Sequence, residues 1–280
     1  MNEILINKPL LNGWEQWLKK RELAKNTIEI YTITINQYYK KYKKITKENF
    51  MNYKANLIEK SAIKTVNLKI QALSSLIDYV TEKENNDSYL KLKVKTIPVQ
   101  RKNFLENVIS KGEYLNFAEQ LKKSKQMKWY MIVKFLGCTG ARISELIKFN
   151  TFDVKKGYVD IVSKGQKLRR IYIPKHLKNE AIDWIGKREG FLFLNKFNKP
   201  MTTRGIAHGL KELAIKFGIN ADVVYPHSFR HMFAFNFLEK YKDIALLADL
   251  MGHSNIETTR IYLRLTSEQQ QKIVDEVVDW

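Results

Sequence analysis

The stretch LLADLMGHSNIETTRIYLRL, residues 246–265, sets a His, two Thr and a Tyr in fixed order behind an apolar run. Gly252 followed by His253 marks a helix end. Ser254 and Asn255 can cap a following helix that carries Thr258, Thr259 and Tyr262. Tyr262 is then either an ordinary packed side chain or a nucleophile. In LGCTGARISELIKF, Thr139–Gly140 breaks an apolar run, and Arg142 and Glu145 follow three residues apart, side by side on a helix. Such a pair is an ordinary surface ion pair, or Arg142 at a helix start grips a phosphate. In YPHSFRHMFAFNFLEK, Pro226 precedes a helix on which His227 and Arg230 share a face, two donors suited to an anion. His231 stands four residues after His227, a two-histidine metal spacing. Ser228 holds the place where the metalloprotease version needs Glu, and no further ligand cluster is near. No metal is expected, and His231 reads as a core or supporting histidine.

The stretch YVDIVSKGQKLRRIYIP alternates Tyr158 and Asp160 with Val159 and Ile161, turns at Lys164–Gly165, and alternates again through Ile171 and Ile173. It reads as a β-hairpin stopped by Pro174. Lys164, Lys167, Arg169 and Arg170 make the hairpin basic, either a solvated face or a set of phosphate contacts. Its tip lysine could enter a groove as a proton donor. Two Arg, two His, a Lys and a Tyr suffice for metal-free transesterification at a DNA phosphate: guanidinium groups neutralise the phosphoryl oxygens, a phenol attacks and an ammonium protonates the leaving alkoxide. No GxxxxGK[ST] motif occurs, so no nucleotide cradle and no cofactor are expected.

These residues need a frame. Residues 1–103 read as helices: LLNGWEQWLKKREL carries Leu10, Trp14, Trp17 and Leu18 at helical spacing, and NTIEIYTITINQYYKKY opens on Asn26 with Glu29 three residues on, a capping-box start. A third helix is expected after Thr46. Val66, Ile70, Leu73, Ile77 and Tyr79–Val80 trace the stripe of a fourth. Four short helices make a bundle over residues 1–84. The polar, basic stretch 85–103 lacks helical periodicity and reads as a connector. Residues 104–280 resume helix, with Ser110 as a cap and Glu113 three residues later, and the hairpin interrupts them. The class is mainly α with a small antiparallel sheet.

The chain of 280 residues carries 49 Lys plus Arg against 29 Asp plus Glu, a net charge of +20. Residues 1–103 hold 20 basic and 10 acidic side chains and the remainder 29 and 19, so the excess is shared evenly. That distribution fits two halves touching one polyanion. No run approaches the length of a spanning helix and no apolar leader follows Met1, which disfavours a membrane surface. Cys138 is the single cysteine, so no internal disulfide framework is expected and the compartment reads as reducing and cytoplasmic.

The motifs TGARISEL, SKGQKLRR, HSFRH and LMGHSNIETTRIY, in this order, resemble the tyrosine recombinases of the phage integrase and Xer superfamily. The resemblance is strong over the second half. Over the first it rests on a helical module of the size and position of that family's SAM-like core-DNA-binding domain. It implies Arg142 and Arg230 as the pair holding the scissile phosphate, Glu145 supporting the first arginine, and Lys164 as general acid toward the 5′-hydroxyl. It further implies His227 and His253 on the phosphate oxygens or in proton transfer, and Tyr262 as the residue that becomes a 3′-phosphotyrosine. Phe229 and Met232 depart from residues common in the family, beside active positions and not at them. The implied partner is duplex DNA with inverted-repeat half-sites, bound by four protomers, with accessory proteins unspecified. In the family a terminal helix packs into a neighbouring protomer, and residues 268–280 would form it here. Implied location is the cytoplasm, at the nucleoid. Alternatives are a type IB topoisomerase or telomere resolvase with a similar residue set, and a DNA-binding regulator without catalysis.

Overall fold

In a computed structural model, residues 3–99, 107–162, 168–253, 255–263, 274–276 and 278 are described. The chain divides into two units, Met1–Arg101 and Lys102–Trp280.

The first unit is built on α1 (Lys8–Lys20), α2 (Lys25–Tyr42), α3 (Lys47–Lys60) and α4 (Ile63–Glu84). Asn7 caps α1 by accepting from Leu10 N at 2.9 Å, and Thr46 caps α3 by accepting from Asn49 N at 3.0 Å. Helix α2 starts earlier than the Asn26–Glu29 pattern suggests: its cap is Ala24, with no side-chain cap bond. The α4 stripe is buried at Val66, Ile70, Leu73, Ile77 and Val80, and meets Trp14, Ile35, Tyr38 and Phe50 in one core. Two short strands, β1 (Ile4–Leu5) and β2 (Lys44–Ile45), pair antiparallel beside it, a ribbon too short to leave a period-2 signature.

The stretch expected to be a connector differs from that expectation. Residues Asp87–Leu92 form a 3₁₀ turn, and Leu92 and Val94 are buried in the first core. Asn67 clasps the backbone of Ile97 through both its N–H and C=O at 2.8 Å. The reason is local: Leu92 and Val94, two apart, turn inward, while Lys91 and Lys95 on either side stay exposed.

The second unit opens on α5 (Lys111–Lys123), with the Ser110–Glu113 capping box formed in both directions. Helix α6 (Met127–Thr139) is buried along most of its length, from Tyr130 to Leu136, and forms the centre of the unit's core. Short α7 (Ile143–Leu146) and α8 (Thr151–Lys156) lead to strands β3 (Tyr158–Val162) and β4 (Leu168–Tyr172). These pair antiparallel with Tyr158 opposite Tyr172 and Ile161 opposite Arg169. Helices α9 (Lys175–Ile185), α10 (Thr203–Lys216), α11 (Pro226–Lys240) and α12 (Ile244–Met251) follow, then α13 (Glu257–Arg260), which runs into a 3₁₀ turn at Ile261–Leu263. Helix α11 packs on α6. No helix among the described residues is long and apolar enough to cross a membrane.

Candidate active site

Gly140 and Gly252 end α6 and α12 in the left-handed region, each with φ of 60°. A Cβ at Gly140 would lie 2.6 Å from the Phe233 ring, and one at Gly252 would lie 2.3 Å from Arg169 Cδ, so both turns require glycine for space as well as for φ. The two turns deliver the backbone carbonyls that hold the site's arginines.

Arg230, on α11, is 3 % exposed. Its guanidinium donates to Gly140 O, to Met251 O and, at 3.0 Å, to His253 Nε2. A guanidinium can only donate, so His253 Nε2 carries the lone pair and its Nδ1–H donates to Thr259 Oγ1 at 2.7 Å. Burial, then Arg230 and Arg142, pushes the His253 pKa down to about 4, consistent with a neutral ring. Burial, with Arg142 and Arg169 nearby, also pulls Arg230 down to about 9, which leaves it charged at neutral pH.

Arg142 caps α7 and is about one-third exposed at its side chain. It donates through Nη1 to Glu145 Oε1 at 2.8 Å and through Nη2 to Gly252 O at 3.0 Å, and its backbone N–H donates to Glu145 Oε2 at 2.7 Å. Glu145 is therefore not half of a surface pair but a buried junction, 6 % exposed.

The second cation on that junction is Arg169, and here the expectation of a DNA contact is corrected. Arg169 is 5 % exposed, donates to Glu145 Oε1 at 2.6 Å, and gives Nε–H and Nη2–H to Leu250 O at 3.0 and 2.8 Å. Strand alternation places it on the inner face with Ile171 and Ile161, so it ties β4 to α7 and α12. Arg170, on the outer face, is exposed; it pairs with Asp160 at 2.8 Å and lies over the Tyr158 ring. Lys164 and Lys167 lie outside the described residues.

Burial alone would raise the Glu145 pKa, but Arg169 and Arg142 together hold it below the ordinary value of 4.5. A depressed carboxylate contributes stability above its unfolded pKa and loses it as pH falls through the folded one. Glu145→Ala removes the counter-charge from a buried Arg169. It should cost about 3–5 kcal/mol, read as a large fall in melting temperature at pH 7 that narrows on acidification. A variant melting within a degree or two of the parent would contradict this role.

Tyr262 is buried at 7 % exposure, and its ring stands edge-on to Phe235 at 5.4 Å. Its hydroxyl lies 2.8 Å from His231 Nδ1. Burial pushes the phenol up to about 12, against the opposing pull of Arg230 and Arg142. His227 stands one turn before His231 on α11, with ring centroids 6.4 Å apart. Burial and the two arginines lower its pKa.

Arg142, Glu145, Arg169, Gly252 and His253 line a groove of about 910 Å³ between the hairpin, α7 and the end of α12. Ser144 and Lys148 line it as well and carried no signal in the sequence beyond their one-turn spacing. Thr259, fully buried against His253, was visible only as one of two adjacent threonines. No group of three or more His, Cys, Asp or Glu placed to hold a metal ion occurs among the described residues.

A helical unit followed by a larger one that gathers two arginines, three histidines and a buried tyrosine at one site has the organisation of a site-specific recombinase of the tyrosine type. The chain belongs to the phage integrase family, whose profile matches residues 107–269; that of the phage integrase N-terminal SAM-like domain matches residues 10–87. Tyrosine recombinase XerA of Pyrococcus furiosus is 29 % identical, over 98 % of this chain and 96 % of its own. Tyrosine recombinase XerD of Oceanobacillus iheyensis is 27 % identical, over 88 % and 90 %. Among solved structures, the Tn1549 transposon integrase in complex with circular intermediate DNA superposes with a TM-score of 0.72 at 17 % identity, over 96 % of this chain and 99 % of that one. A lambda integrase dimer bound to a core site gives 0.74 at 15 %, over 91 % and 94 %.

Proposed function

We propose that this recombinase cuts and rejoins duplex DNA through a 3′-phosphotyrosine at Tyr262, and exchanges strands by way of a Holliday junction. The observation that carries the reading is a pair of contacts made by consecutive residues of α11: Arg230 with His253 at 3.0 Å and His231 with the Tyr262 hydroxyl at 2.8 Å. Arg230 spends three of its five N–H groups on described partners, and the others suit a phosphate oxygen. Arg142, at the groove, would take a second oxygen, with His227 and His253 completing the set. As Tyr262 Oη bonds to phosphorus, the P–O5′ bond breaks and Lys164 protonates the leaving oxygen. The phosphotyrosine ester conserves the energy of the broken bond, so a 5′-hydroxyl can reverse the step without ATP.

The basic helical half, assigned to residues 1–84 with 85–103 beyond it, would grip the core site, and residues 104–280 would carry catalysis. The duplex would offer inverted-repeat half-sites, and four protomers would assemble on two duplexes. With 20 basic residues over 1–103 and 29 over the rest, binding should weaken steeply with salt. We place the reaction in the cytoplasm, at the nucleoid. Residues 268–280 would pass between protomers. Their deletion should then abolish the tetrameric synapse and leave binding to a single half-site, by native gel shift; loss of folding would refute the exchange.

Covalent capture tests the chemistry. The protein is incubated with fragmented, nicked genomic DNA of its source, denatured in detergent, and the linked DNA sequenced. Adducts at one inverted repeat, with the nucleotide on the peptide containing Tyr262 by mass spectrometry, are the expected result. Adducts scattered without a common sequence would favour a relaxing topoisomerase activity. Salt-sensitive binding without adduct would indicate a regulator.

A further inference from the structure

An ammonium group held by a carboxylate has its charge largely cancelled, whereas one held by a backbone carbonyl keeps it. In the first unit Lys19, Arg21 and Lys44 are paired with Glu15, Glu82 and Glu3. The strap that follows α4 differs. Leu92 and Val94 turn into the core at 3 % and 6 % exposure, so Lys91, Lys93 and Lys95 project from its other side. Helix α3 sends two more lysines to the same place: Lys47 donates to Lys93 O, and Lys54 Nζ donates to Lys95 O at 2.8 Å. Asn67 of α4 holds the far end of the strap through both backbone groups of Ile97, each at 2.8 Å. Of these five lysines Lys93 alone meets a carboxylate among the described residues, that of Asp78 at 2.5 Å. Lys47, Lys54, Lys91 and Lys95 keep their charge uncompensated there.

We infer that this strip, Lys91, Lys93 and Lys95 of the strap with Lys47 and Lys54 of α3, is a binding surface for the phosphodiester backbone of duplex DNA. Several uncompensated ammonium groups on a short stretch attract a polyanion of regularly spaced charge, and each phosphate they neutralise releases condensed counterions. The strip is shaped before any DNA arrives. Two buried side chains, the Asn67 clasp and the two α3 lysines already fix the course of residues 92–97, so little ordering is left for binding to meet. Lysine is a point donor without the planar fork that reads a base edge in two bonds. The contact is therefore to phosphate, and it positions the unit on the duplex without specifying sequence. An acidic protein segment would also meet the charges, but a protein interface is anchored by apolar side chains at its centre. Between Lys91 and Lys95 no apolar side chain faces outward, because Leu92 and Val94 are both spent on the core. The stretch that leads to the second unit is thus part of the DNA-gripping surface of the first.

This surface rests on the DNA-acting reading above, and the test separates the two. Binding of the full-length protein to a duplex of arbitrary sequence is followed by fluorescence anisotropy over a salt series. The parent is compared with Lys91→Gln/Lys95→Gln and with Lys19→Gln/Lys20→Gln, which removes the same charge from the end of α1. The strap pair should lower the slope of log K against log[salt] by about 2 and weaken binding at low salt by at least about tenfold. The α1 pair should lower the slope by less than about 1. Duplexes of different sequence should show the same losses. An unchanged slope from the strap pair overturns the inference. Equal losses from the two pairs do so as well, since the general field of a basic chain would then account for both. Lysine acetylation of the parent, read by mass spectrometry, decides the matter without depending on how a variant folds. Duplex should shield Lys91 and Lys95 and leave Lys19 and Lys20 reactive, and labelling of the strap that DNA does not alter overturns the inference. A parent with no affinity for duplex overturns the DNA-acting reading and this surface with it, whereas a parent that binds with the strap uninvolved overturns the surface alone.

Discussion

Tyr262→Phe should abolish covalent capture while the protein folds and binds DNA as before. The ring belongs to a small apolar cluster with Ala234, Leu238, Leu247 and Met251, and meets Phe235 edge-on. Phenylalanine keeps all of that surface and removes one oxygen. The loss leaves His231 Nδ1 without its partner in a half-buried place, a cost of about 1–3 kcal/mol that a melting curve would register as a modest shift. Salt-dependent affinity should not change, because no charge has been altered. Adduct at the parent's yield from the Phe variant would put the nucleophile elsewhere. Loss of affinity together with adduct would make Tyr262 a packing residue and no more.

Expected loss is complete for this variant because the hydroxyl beside it among the described residues is not free to replace it. The neighbouring hydroxyl, Thr259 Oγ1, is fully buried and already engaged by His253. The helix turn that carries Tyr262 is short, α13 having four residues before the 3₁₀ turn. Its orientation is set by tertiary contacts from α11 more than by helix propensity.

How far the chain could be read without coordinates varied with the physics involved. The α4 stripe and the Ser110 capping box were legible because each is a short-range pattern with one geometric outcome. The hairpin was legible too, and its alternation already placed Arg169 inward with Ile171. Charge type led instead to a surface assignment, since an arginine is almost never buried without a partner. The partner was Glu145, 24 positions away, and no local spacing reveals such a pair. The connector was misread for a similar reason: lysines dominate residues 91–95, while Leu92 and Val94 between them are what pack. Arg142 and Tyr262 were legible as chemistry-bearing types. That His231, read as a core or supporting residue, touches the Tyr262 hydroxyl was not, because one helix position decides it.

Arg230→Lys should slow cleavage by about 10³-fold or more, although the charge is conserved. The guanidinium is a planar fork that meets three acceptors belonging to separate segments: Gly140 O at the end of α6, Met251 O at the end of α12, and His253 beyond it. An ammonium is a point donor on a flexible stem; it can satisfy one or two of them but cannot hold all three and still face a phosphate oxygen in plane. His253 then loses the donor that fixes its tautomer, so a second group is disordered by the same change. Because Lys preserves the field, binding of intact duplex and its salt slope should stay close to the parent's, and the defect should appear in single-turnover adduct formation. Cleavage within about tenfold of the parent would mean that charge, not the fork, does the work. Weakened binding with unchanged cleavage of bound DNA would move Arg230 from the reacting phosphate to the scaffold. The expected split, intact binding with lost chemistry, follows from a side chain whose visible contacts are spent on aligning the site.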